Sequence, residues 1–62
     1  MRKYSAIAKM YPDKYVKYRT NNPENLVKFL IQKFNNVLWV NFFNKETRQQ
    51  VGNWSKHKGL NI

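Results

Sequence analysis

Val37-Leu38-Trp39-Val40-Asn41-Phe42-Phe43 is the stretch on which the fold of this chain turns. It is β-branched and aromatic, and apolar on both sides, which predicts a strand. Leu38, Val40 and Phe42 share one face, and that set is uniformly apolar. Val37, Trp39, Asn41 and Phe43 share the other, and the polar Asn41 marks it as the outward one. Trp39 and Phe43 then stand two pleats apart on that face, roughly 14 Å along the strand.

The residues just before this strand predict a helix. In Thr20-Asn21-Asn22-Pro23-Glu24, Asn22 can cap, Pro23 suits the first helical position, and Glu24 faces the positive end of the helix dipole. Leu26, Val27, Leu30, Ile31 and Phe34 then recur at three and four residues and form one apolar stripe. Asn25, Lys28 and Gln32 lie opposite, with Phe29 and Lys33 on the flank. Asn35-Asn36 tolerates a left-handed cap and predicts the end of the helix there.

Further upstream, Met1-Arg2-Lys3-Tyr4 opens basic. Lys3 to Tyr11 alternates loosely, and Lys14 to Arg19 more cleanly. Tyr11-Pro12-Asp13-Lys14 between them carries turn chemistry, so the pair predicts a hairpin. Val16 and Tyr18 suit the core, which turns Tyr15, Lys17 and Arg19 outward. Downstream of the central strand, Asn44-Lys45-Glu46-Thr47 reads as a turn. Arg48 to Trp54 can pair back, with Gly52 as a bulge. Ser55 to Ile62 reads as a polar tail, frayed at the terminus. The expected order is β-β-α-β-β in one small α+β domain spanning residues 1–62. One helix with one apolar stripe covers one face of an antiparallel sheet and leaves the other face open.

Composition narrows the function. The chain has 62 residues, no Cys, one His and three acids against twelve Lys and Arg, for a net charge of +9. Hydrophobic residues make up 42% of it, enough to argue against disorder despite that charge. The absence of Cys excludes a disulfide framework and a thiolate metal site. Three scattered acids (Asp13, Glu24, Glu46) and one His supply neither a metal shell nor paired acid–base groups. With only Gly52 and Gly59 there is no phosphate-binding glycine loop. No apolar run reaches the roughly 18 residues of a membrane span, and no leader pattern opens the chain. The expectation is a cytoplasmic, non-enzymatic protein with no cofactor and no catalytic or metal-binding residues.

The surplus charge points to an anionic partner. Nine Lys against three Arg suit diffuse phosphate contact better than bidentate reading of bases. The open face is expected to carry Tyr15, Lys17, Arg19, Trp39 and Phe43, with Trp54 a further candidate. Rings interleaved with cations suit single-stranded nucleic acid: Tyr15, Trp39 and Phe43 to stack bases, Lys9, Lys17, Arg19, Lys56 and Lys58 to meet phosphates. His57 lies between Lys56 and Lys58 and reads as a solvated or phosphate-contacting residue. Glu46 and Arg48 read as a turn or cross-strand pair.

Two other readings of the same residues compete. Trp39 and Phe43 could complete the core. The open face could instead dock on a larger protein, as a small phage or mobile-element accessory or inhibitory protein would, or on a second copy as a homodimer.

Overall fold

The computed structural model describes residues 3–62; Met1 and Arg2, read above as part of a basic opening, lie outside them. Its elements are β1 (Tyr4–Met10), β2 (Lys14–Thr20), α1 (Pro23–Lys33), β3 (Val37–Asn44), β4 (Gln50–Ser55) and β5 (Gly59–Asn61). The strands form one open sheet in the order β2-β1-β3-β4-β5, with every neighbour antiparallel. This is the expected small α+β domain, extended by a fifth strand.

The fifth strand corrects the reading of Ser55 to Ile62 as a tail. Ser55 pairs with Gly59 across a three-residue turn, and Trp54 pairs with Leu60. Gly59 adopts a φ of 76°, a conformation that only glycine takes without steric cost. The Lys58 amide donates to Ser55 Oγ at 3.1 Å and secures the turn.

The helix begins as its sequence dictates. Asn22 is extended, and its side chain accepts from the Asn25 amide at 3.2 Å; Pro23 follows at the start of the helix. Exposed Glu24 and Lys28 approach to 3.3 Å one turn apart, a contact contributing only about 0.3–0.5 kcal/mol. The C-terminus differs from expectation. The helix closes at Lys33, and Phe34 caps it in an extended conformation with its amide donating to Leu30 O. Asn36 instead ties the connection to the β1–β2 turn: its side chain donates to Tyr11 O at 2.7 Å and its carbonyl accepts from Tyr11 N at 2.9 Å.

Antiparallel pairing of β1 with both β2 and β3 makes those two strands parallel, with β1 between them. The connection through α1 therefore crosses one face of the sheet, past β1. This accounts for the alanines of β1: Ala6 and Ala8 are fully buried, and their small side chains leave room for the helix. Leu26, Val27 and Leu30 meet them, together with Met10, Val37, Val40 and Phe42. Ile31, expected in this stripe, is 49% exposed. It lies about 100° further round the helix than Leu30, beyond the arc that the sheet covers.

Two bulges set which side chains face where. Lys9 pairs with Trp39, but Met10 pairs with Val37, so Leu38 is an extra residue in β3. An inserted residue exchanges the faces of everything on its N-terminal side. Val37 is therefore buried in the core and Leu38 is only partly buried, the reverse of the strict alternation expected. A second shift lets Phe42 pair with Gly52 and Phe43 with Gln50, leaving Val51 as the extra residue of β4. The irregularity expected at Gly52 thus falls beside it.

Candidate nucleic-acid interface

The helix covers one side of the sheet, and cross-strand pairing defines what stands on the other. Directly opposed residues point the same way. Since Val40 and Phe42 are fully buried on the helix side, Trp39, Asn41 and Phe43 face away from it. Three rows result. Tyr15, Lys9, Trp39 and Ser55 form the first; Lys17, Ile7, Asn41, Asn53 and Asn61 the second; Arg19, Ser5, Phe43 and Gln50 the third.

The first row is the most organised. Lys9 pairs with Tyr15 on one side and Trp39 on the other. The two rings lie 6.1 Å apart, edge to face, and Lys9 Nζ stands 5.4 Å from the centre of the Tyr15 ring. A cation over a ring and a T-shaped aromatic pair are both favourable arrangements of the ring quadrupole. Together they hold two aromatic side chains and one ammonium in a single cluster. Tyr15 is 55% exposed, and Trp39 and Phe43 are partly exposed. Neither Trp39 nor Phe43 belongs to the buried cluster under the helix.

Five of the eight residues expected to form the site, Lys17, Arg19, Lys9, Tyr15 and Trp39, fall on the first two strands of this face or directly beside them. Phe43 occupies its far end. Lys56 and Lys58 lie in the β4–β5 turn, which emerges next to Trp39 because Ser55 is that residue's partner. Trp54 does not join them. It pairs with Val40 and Leu60 and packs against the core on the helix side, so its placement on the open face is corrected.

The charges are sorted by face. Lys9, Lys17 and Arg19 stand on the open side, and no acid does. Asp13 is in the β1–β2 turn, Glu24 is on the helix beside Lys28, and Glu46 is in the β3–β4 turn. Glu46 and Arg48 do not pair: among the described residues, the ion pair formed is Lys28 with Glu24.

Two further features went unread in the sequence. Lys45 and Arg48 join Arg19, Ser5 and Phe43 around a depression at the far end of the face. Polar side chains, Asn41 and Asn53 foremost, fill the middle row. Both depend on strand order, which periodicity along the chain does not carry. Among the described residues there is no group of three or more His, Cys, Asp and Glu that could hold a metal, and no helix long and apolar enough to cross a membrane.

No family model, no curated protein and no solved structure matches this chain.

Proposed function

We propose that this protein is a non-enzymatic nucleic-acid-binding protein of low sequence specificity that lays single strands across its open sheet face. The observation that carries the reading is the cluster of Tyr15, Lys9 and Trp39 on a face without an acid. Tyr15, Trp39 and Phe43 stack bases. Lys9, Lys17 and Arg19 meet phosphates on the sheet, and Lys56 and Lys58 meet them from the adjoining turn. Stacking tolerates any base, since every base has a π-face, and lysines are point charges without directional readout. Low specificity follows from both.

The test is binding of labelled single- and double-stranded oligonucleotides between about 50 and 200 mM salt. Each phosphate neutralised on a single strand contributes about −0.7 to the slope of log K against log salt. Five cations therefore predict a slope near −3.5 and a loss of about 100-fold over that range. Single strands should bind more tightly than duplex. Absence of binding to either at the lowest salt would overturn the proposal. It would leave the face to a larger protein, as an accessory or inhibitory protein of a phage or mobile element would use it, or to a second copy.

A further inference from the structure

We infer that the far end of the open face is a pocket for the terminal phosphate of a nucleic-acid strand, Phe43 stacking the last base and Arg19, Lys45 and Arg48 surrounding the phosphate; this rests on the nucleic-acid reading above. Side chains from three separate parts of the chain converge there. Arg19 comes from the end of β2 and Phe43 from β3, both flanking Ser5 of β1. Lys45 and Arg48 come from the β3–β4 turn and close the depression.

The chemistry differs from that of the rest of the face. Two of the chain's three arginines are here, although lysine outnumbers arginine nine to three overall. The guanidinium fork matches two phosphate oxygens at once, which an ammonium cannot do. A phosphate inside a strand carries one charge. A terminal phosphate monoester carries about 1.5 to 2 and exposes three acceptor oxygens. Three cations around one depression suit the second better. The acid in the same turn, Glu46, neither lines the depression nor pairs with Lys45 or Arg48.

The backbone of the turn that carries two of those cations is fixed by hydrogen bonds. Asn44 Oδ1 accepts from the amides of Glu46 at 2.8 Å and Thr47 at 3.1 Å. The Arg48 amide donates to Asn44 O at 2.7 Å, and the Lys45 amide donates to Lys3 O at 3.1 Å. Within this frame Arg48 has a φ of 64°, in the left-handed region where glycine or asparagine is the easier occupant. An arginine at a position that disfavours it is a departure from the demands of the turn. A ligand for its side chain gives that departure a reason.

The experiment compares one oligonucleotide sequence with hydroxyl ends, with a 5′-phosphate and with a 3′-phosphate, bound to the full chain at about 50 mM salt. One phosphorylated form should bind about tenfold more tightly, the effect of one hydrogen bond to a charged group. The Arg48→Gly variant should lose that preference while its melting temperature holds or rises, since glycine suits the left-handed position. Measurable but equal affinity for all three ends would overturn the pocket and leave the open-face reading standing. An end preference that survives Arg48→Gly would also overturn it. Failure of every oligonucleotide to bind would remove the open-face reading, and the pocket with it.

Discussion

The two tryptophans stand on opposite faces of the sheet, so truncating each should give opposite phenotypes. Trp39→Ala removes a ring from the uncovered side. Within the protein it loses the edge-to-face pair with Tyr15 at 6.1 Å, worth about 0.5–1.5 kcal/mol, in addition to the area this partly buried ring covers. The domain should remain folded. Loss of one stacked base costs about 1–3 kcal/mol, which weakens single-strand binding roughly 5- to 150-fold. Trp54→Ala removes a ring packed with Leu60 against fully buried Val40. Trp54 is itself partly buried, so its truncation costs up to the roughly 3–5 kcal/mol of a fully buried ring, a large share of the roughly 3–5 kcal/mol that a core of this size supplies. That variant should be strongly destabilised. Circular dichroism melts and titration with a labelled single-stranded oligonucleotide separate the two outcomes. Fluorescence adds an internal check. With Trp54→Phe, Trp39 is the remaining emitter and should be quenched on binding; with Trp39→Phe, the remaining Trp54 should not be. Unfolding of Trp39→Ala would place its ring in the core. Wild-type affinity in a folded Trp39→Ala would remove stacking from the mechanism.

Three other perturbations test separate parts of the structure. Replacing Lys17 and Arg19 together by Gln should reduce the salt slope by about 1.4, two phosphates' worth, without changing the melt beyond what two exposed edge-strand side chains allow; an unchanged slope would take these residues out of the interface. Asn22→Ala removes the cap that accepts from the Asn25 amide and should cost about 1 kcal/mol. In a domain of this size that lowers the melting temperature by about 4–8 °C, and binding by the folded fraction should not change. Gly52→Ala places a Cβ 2.6 Å from Ile62 Cβ and 2.7 Å from Asn61 O. The C-terminal strand must then move away, which hydrogen exchange would report as faster exchange at the amides that join β4 to β5.

Much of this fold is legible because its signals are local. Asn22-Pro23-Glu24 states a helix start in three residues, and Tyr11-Pro12-Asp13 states a turn between two alternating runs. Features that depend on pairing are not legible in the same way. Alternation along β3 gives the faces of Val40 to Phe43 correctly, but nothing in Val37-Leu38-Trp39 announces that Leu38 is an inserted residue. The bulge exists only relative to β1, and it puts Val37 where Leu38 was expected. The apolar stripe of the helix contains Ile31, yet only the width of the sheet beneath decides that Ile31 is left out. The fifth strand did leave a signal: Lys56-His57-Lys58 is a three-residue turn followed by Gly59. Gly59-Leu60-Asn61 is nevertheless too short to show a strand period. The site divides along the same line. Tyr15, Lys17, Arg19, Trp39 and Phe43 follow from alternation. The cluster of Lys9 between Tyr15 and Trp39, and the approach of Lys45 and Arg48 to Phe43, follow from strand order alone.

Edge protection is the simplest competing account of the cations, and it explains only part of them. β2 is an edge strand, and lysines there discourage pairing with another chain. That argument covers Lys14, Lys17 and Arg19. It does not cover Lys9, which belongs to β1 and has a strand on each side. A lysine in the interior of a sheet blocks no edge. Its ammonium is held against the Tyr15 ring and next to Trp39, on a face where an apolar side chain would have served packing equally well. Acids could have balanced a surface charge of this size, yet all three stand elsewhere. A protein partner would use the same rings, and Trp, Tyr and Arg do dominate protein interfaces. Such a partner must itself present negative charge opposite Lys9, Lys17 and Arg19. Nucleic acid meets that requirement at every residue of the strand, and it supplies a flat ring for each aromatic at the same time.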